Sequence, residues 1–351
     1  MKAAVLYGQM DLRYEEIDTP EIGPGDILAR VKLSGICGSD FPRVLGQAAH
    51  NYPIILGHEF SAEVVETGSE VHAITVGDRI AGVPLVPCGS CPDCVRGHYS
   101  YCKYYSFIGS RTAGSWAECV KLPAGNVFKL PDEVTDIEGA LFEPVTVALH
   151  GLSVMNFRGG VDVAIIGMGT IGLLTLQCVR ALGAKRIFAF DIDPDKLKLA
   201  QVLGADYCFN TTDDLFKETL LEVTKGRGIP QVVETAGVEF TEKLSLAVAA
   251  NKGQVMYIGT PSKDITLKPS EFENINRKEL TVRGSWMSYS APFPGQEWEL
   301  AAHLFQQEKL TCEGLIDRIM PLAEINIAFA DLQVPGRVKG KVLLQCSEEN
   351  R

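Results

Sequence analysis

The chain has 351 residues, enough for about two domains, and 46% of them are apolar, enough for a large buried core. Its net charge of −11, with no basic block, argues against a general nucleic-acid or membrane-surface role. No run approaches the roughly 18 apolar residues of a membrane helix, so a soluble, cytoplasmic protein is expected.

The opening "MKAAVLYGQMDLRYEE" has only a short apolar run before polar residues return, which reads as a first β-strand and not a secretory leader. Residues 1–130 are rich in Val, Gly and Pro with short strand patterns, so this region is expected to be all-β. Within it, "GICGSD" carries Cys37 and "LGHEFSAEVVETG" carries His58 and Glu59. Further on, "ALFEPVTVALHG" carries Glu143. A thiolate, an imidazole and a carboxylate form a three-ligand set that leaves zinc one open position. Taken singly, each has an ordinary structural reading: Cys37 as a turn residue, His58 as a core histidine, Glu143 as an acid favouring a helix start.

Between these lies "CGSCPDCVRGHYSYC", with Cys88, Cys91, Cys94 and Cys102. Ten cysteines in a chain without a secretory signal are unsuited to disulfides, because the cytoplasm keeps thiols reduced. Four thiolates so closely spaced, among Gly, Pro and Ser and without an apolar pattern, surround one tetrahedral zinc. Every ligand then comes from protein, so this ion pins a lobe at about residues 86–104 and does no chemistry. Cys119, Cys178, Cys208, Cys312 and Cys346 sit in apolar or strand-like surroundings and read as ordinary packing residues.

"VDVAIIGMGTIGLLTLQCVRALGA" is an apolar strand, a glycine turn and a helix. Gly167, Gly169 and Gly172 form G-x-G-x-x-G, and Thr170 and Ile171 lie in the helix start that would face a pyrophosphate. A second strand, "RIFAF", ends at Asp191, whose carboxylate suits the ribose hydroxyls of NAD and repels the extra phosphate of NADP. "DPDKLKLAQVLG" follows as a helix, with Asp193 as N-cap, Pro194 at its first position and Gly204 as its stop. Strands recur near Ala205–Phe209, Gln231–Glu234, Gln254–Ile258 and Leu280–Gly284, which completes a six-stranded doubly wound parallel sheet. The chain closes with a helix, "GQEWELAAHLFQQEKL", and a strand, "KVLLQC". The expected fold is α/β: a Rossmann domain over 156–290 inserted into a β-rich domain formed by 1–155 and 291–351, with a cleft between them.

These motifs together resemble the zinc-dependent medium-chain dehydrogenases, and within them the polyol dehydrogenases. The resemblance covers essentially the whole chain. It rests on "CGSD", "GHE" followed by "VVETG", the four-cysteine lobe, "GMGTIGLL", "YYSFIGSRTAG", "FEPVTVALH" and "RKELTVRGSWMSYSAPFPGQEWE", the last similar to a phosphate-using branch. It implies a GroES-like (chaperonin-like) catalytic domain and two zinc ions per chain. Cys37, His58 and Glu143 would hold the catalytic ion, with Glu59 as alternate ligand or partner through water. Cys88, Cys91, Cys94 and Cys102 would hold the structural ion. It further implies NAD as cofactor, Ser39 as the first proton acceptor, and a homo-oligomer, a dimer before a tetramer. The substrate implied is a sugar-alcohol phosphate oxidised at a secondary hydroxyl, and Arg43, His50 and Arg111 are candidates for its phosphate. Two positions depart from the family pattern. Ala62 replaces the glycine of "GHE-x-x-G", and Pro42 stands where many members carry a relay histidine, which leaves His50, Glu59 or bulk water to take the proton from Ser39. Other readings share many of these residues: a dehydrogenase for a neutral polyol or threonine, a zinc-independent reductase of the same fold, and a non-enzymatic binding module built on the cysteine lobe.

Overall fold

The computed structural model describes residues 1–347. The chain forms two compact units, Met1–Glu143 joined by the segment from Tyr289 onward, and Pro144–Ser288. The second unit thus begins at Pro144, inside the helix Phe142–Val154, where the sequence reading places the boundary at 156.

The first unit is built around the strand Asp26–Gly35, whose alternating apolar residues bury Ile27, Ala29 and Val31. One flank pairs antiparallel with Glu59–Thr67 along its whole length, ending with Gly35 opposite Glu59. The other flank is shared. Cys119–Pro123 pairs with the first half, and the C-terminal strand Lys341–Gln345 takes over opposite Leu33, Ser34 and Gly35. Arg79–Gly82, Val127–Lys129 and Ile316–Pro321 complete this seven-stranded sheet. A second sheet of Asp11–Glu16, Lys2–Gly8 and Ile54–Ile55 belongs to the same unit. The core between them contains Ile27, Leu56, Phe60 and Trp116, all essentially inaccessible. Ala62, at the departure from the family pattern, is a buried residue opposite Val31 and Ile80, beside a register shift between Val31 and Leu33.

The second unit has a six-stranded sheet in the order Tyr207–Asn210, Arg186–Asp191, Asp162–Ile166, Ile229–Glu234, Ala249–Tyr257, Thr281–Gly284. Every neighbouring pair is parallel. Helices connect most of the strands, and Phe188, Phe190, Phe209, Val232 and Leu244 form its core. The chain enters at Asp162–Ile166, builds outward on one side, then returns to build on the other. That reversal places a ligand crevice off the carboxyl end of Asp162–Ile166, where Gly167 begins the turn. Among the described residues no helix is long and apolar enough to cross a membrane.

Candidate active site

The four cysteines of the lobe meet at one point: their sulfurs all lie within 4.8 Å of one another, and none is in a disulfide. Cys91 caps the one-turn helix Pro92–Val95 that carries Cys94. Backbone N–H groups are directed at the sulfurs, Cys91 N to Cys88 Sγ and Cys88 N to Cys102 Sγ, both at 3.4 Å. The donors from Ser90 and Cys91 hold the Cys88 thiol down at about 6, while burial and the neighbouring thiols push Cys94 up to about 12. The Cys88–Cys94 separation of 3.9 Å compares with about 3.8 Å between sulfurs set tetrahedrally at zinc–sulfur distance. The cluster therefore fits a closed structural zinc.

The second convergence is Cys37, His58 and Glu59, whose ligand atoms also lie within 4.8 Å of one another. Sheet pairing produces it. Cys37 lies just past Gly35, and Glu59 begins the strand beside it. Glu143 does not belong to that group of three. It is near enough, however, for the charges of Cys37, His58 and Glu59 to act on it. Burial, opposed by His58 and reinforced by Glu59, pushes its carboxyl up to about 7. Burial, with Glu59 beside it, likewise pushes the Cys37 thiol well up. Both carboxylates of the sequence reading, Glu143 as ligand and Glu59 as alternate ligand or partner through water, therefore lie at this centre, with Glu59 in the tighter group.

Two residues that the sequence reading did not single out complete this centre. Asp40, fully buried, accepts the N–H of Cys37 at 3.0 Å and places Oδ1 3.7 Å from Nδ1 of His58. With Nδ1 turned toward a carboxylate, Nε2 is the nitrogen available to a metal, the usual arrangement for a metal-binding histidine. Lys341, also buried, forms an ion pair with Glu59. Burial pulls its ammonium down, but Glu59 and Cys37 outweigh that and hold it above its ordinary range. A Cβ on Gly35 would come within 2.5 Å of the Glu59 carboxylate and 3.0 Å of the Lys341 side chain, so only glycine permits this approach. The legible signals were Asp40 three residues after Cys37 and a lysine opening the apolar strand "KVLLQC". Cys37, Asp40, Glu59 and Glu143 thus concentrate acidic groups in a buried region, which fits a divalent cation held by Cys37, His58 and a carboxylate.

Ser39 donates its hydroxyl to Cys37 Sγ at 3.4 Å and accepts from Arg43 Nη1 at 3.0 Å. Arg43 also reaches Asp40 at 3.4 Å. His50 is exposed; partial burial and the charges of Arg111 and Arg43 hold its imidazole below the ordinary value. Arg111 stacks over Tyr105 at 4.3 Å. The three candidates for phosphate binding therefore share one electrostatic neighbourhood, and Arg43 ties it to Ser39.

In the second unit, Gly167 adopts φ +93°, Gly169 caps the helix Thr170–Ala181, and a Cβ on Gly172 would run into the carbonyl of Gly167. Around Gly169 the space is open, so the protein's own packing does not require glycine there. A ligand brought against the first-turn N–H groups of Thr170, Ile171 and Gly172 supplies a reason. Asp191 crosses this turn, accepting from Met168 N at 2.6 Å and Asp193 N at 2.9 Å. These features fit a dinucleotide.

Residues 23–132 match the alcohol dehydrogenase GroES-like domain and residues 170–306 the zinc-binding dehydrogenase domain. The chain belongs to the zinc-binding medium-chain dehydrogenase family and is a zinc-dependent alcohol or polyol dehydrogenase acting on a small molecule. Among its relatives it is 42% identical over 345 residues to galactitol 1-phosphate 5-dehydrogenase of Escherichia coli (strain K12), covering 98% of this chain and 99% of that protein. It is 33% identical over 269 residues to sorbitol dehydrogenase of Bacillus subtilis (strain 168), covering 75% and 76%. The crystal structure of galactitol-1-phosphate dehydrogenase from Escherichia coli superposes with a TM-score of 0.92 at 42% identity, covering 98% of this chain and 100% of that one. A zinc-binding dehydrogenase from Sinorhizobium meliloti 1021, solved with NADP bound, superposes with a TM-score of 0.88 at 32% identity, covering 98% of each chain.

Proposed function

We propose that this enzyme oxidises galactitol 1-phosphate at a secondary hydroxyl to the ketose phosphate, tagatose 6-phosphate, with NAD as hydride acceptor. The observation that carries the reading is the grouping of Arg43, His50 and Arg111, with Arg43 bonded to Ser39 and Ser39 bonded to Cys37. The relative 42% identical over nearly the whole chain supports the same substrate.

A zinc ion held by Cys37, His58 and Glu59 or Glu143 supplies the Lewis acidity that makes an alcohol proton removable near neutral pH. Ser39 takes that proton from the substrate hydroxyl. Arg43 is a donor without an acceptor lone pair, so His50, Glu59 or water is the next acceptor. The guanidinium groups of Arg43 and Arg111 hold the phosphate through paired N–H donors. The helix start at Thr170 binds the pyrophosphate, and Asp191 binds the ribose and disfavours NADP. A dinucleotide held at Gly167, Gly169 and Asp191 would supply the acceptor for the hydride of the carbinol carbon.

The test is the initial rate of NAD reduction with galactitol 1-phosphate, free galactitol, sorbitol and threonine. One well-placed guanidinium contributes about 1.5–3 kcal/mol to a phosphate, so kcat/KM should favour the phosphate roughly ten- to a hundred-fold. Arg111→Ala should erase that preference and leave the free polyol almost untouched, whereas Arg43→Ala, which also loses the bond to Ser39, should erase the preference and slow both substrates. Equal efficiency on galactitol and its phosphate would assign the enzyme to neutral polyols instead. We also infer a homodimer. Thr281–Gly284 is an edge strand with all its residues exposed, and such an edge invites a second copy. Light scattering in solution tests this.

A further inference from the structure

A cavity of about 990 Å³ in the second unit lies at the opposite end of the sheet from the glycine turn. Asp162, Arg186 and Ala249, each the first residue of its strand, line it. The strand Asp162–Ile166 separates it from Gly167, a span of about 16 Å at the usual rise per residue. One part of its wall is apolar, formed by Phe216, Leu220, Leu244 and Val248.

The charge around this cavity runs against the rest of the chain. Lys185, Arg186, Lys217, Arg227 and Lys278 line it, and the only acid among the lining residues is Asp162. Two of these cations have structural duties. Arg186 is ion-paired to Asp162 and also reaches the carbonyl of Val223 at 3.5 Å. Lys278 donates to the carbonyls of Leu246, Ala247 and Ala249, at and just past the end of the helix Glu239–Val248. Lys185, Lys217 and Arg227 have no carboxylate within ion-pair distance among the described residues, and none caps a helix end. Lys217 lies over the ring of Phe216 at 5.7 Å, so in a chain of net charge −11 three cations without a carboxylate partner gather beside the apolar part of this cavity.

We propose that this cavity is a second ligand site, separate from the dinucleotide and substrate sites, for a small organic anion with an apolar or aromatic body. The body lies on Phe216, Leu220 and Val248, and the anionic head meets Lys217 and Arg227. Anions without an apolar part lack the wall contact, and neutral apolar molecules lack the charge.

The probe is 8-anilino-1-naphthalenesulfonate, which combines an aromatic body with one sulfonate. It is titrated by fluorescence and calorimetry into the full-length, zinc-loaded protein with NAD at saturating concentration. The expected result is one saturable site per chain whose affinity falls as salt is raised. The uncharged analogue N-phenyl-1-naphthylamine should bind at least tenfold more weakly. Lys217→Glu with Arg227→Glu should weaken the sulfonate probe at least tenfold while dehydrogenase rate and Tm stay unchanged. Arg227→Gln alone, a milder change at an exposed position, should give a smaller loss in the same direction. Undiminished affinity in these variants, equal binding of the neutral analogue, or no saturable binding would each overturn the proposal.

Discussion

Lys341 forms a buried ion pair with Glu59, directly against Gly35, where three neighbouring strands of one sheet bring their ends together. Removing one member of such a pair leaves a charge that neither water nor protein neutralises, typically at a cost of about 3–5 kcal/mol. Lys341→Met should therefore lower stability by about that amount in urea unfolding. Adding Glu59→Gln should recover much of the loss, because the orphaned charge is gone. A Lys341→Met protein as stable as the parent would show that the pair is not formed in solution.

Asp40, fully buried, faces Nδ1 of His58 at 3.7 Å, close enough to act as its orienting partner. Partners of this kind typically contribute 10- to 100-fold in metal affinity or activity. Asp40→Asn should lower zinc affinity at this site by roughly that factor, read by chelator competition, with the lobe's zinc retained. His58→Ala should leave a folded protein with about one zinc per chain and almost no turnover. Full zinc affinity in Asp40→Asn would remove the orienting role.

Cys94 is buried at the centre of the four-sulfur lobe. Cys94→Ser should reduce zinc from about two ions per chain to about one and lower Tm, since a structural zinc contributes directly to folding. Elemental analysis of the soluble fraction checks the count. A parent enzyme active with a single metal ion would eliminate the two-site reading.

Asp191 accepts the N–H of Met168, inside the glycine turn, and that of Asp193 two residues further on. Ile192, beside it, is 66% exposed. Asp191→Ser with Ile192→Arg replaces a carboxylate that repels the extra phosphate with a guanidinium that pairs with it. NADP efficiency should rise. NAD efficiency should fall further than loss of a ribose contact alone implies, because the turn also loses its brace. Equal use of NAD and NADP by the parent would show that Asp191 does not select the cofactor.

Whatever the chain brings together locally was legible along it. The cysteines of the lobe lie within one loop, so their spacing already implied a common ion. The glycine turn places strand, turn and helix in succession, so its role was readable before any tertiary contact. The parallel sheet followed from the same local alternation and appears in the structure in the expected class. That Glu59 lies in one tight group with Cys37 and His58 comes from strand pairing and not from spacing along the chain. Glu59 and Glu143 were both plausible along the chain, but antiparallel pairing brings Glu59 directly opposite Gly35 and leaves Glu143 outside the closest group. Lys341 lies roughly 300 residues from Cys37 in the sequence and reaches the site because the last strand takes over one flank of Asp26–Gly35 where Cys119–Pro123 leaves off. Arg43, His50 and Arg111 likewise share a field that no spacing rule contains. Charges interact through space, with energies that depend on distance and burial, and both are set by how strands pair and not by order along the chain.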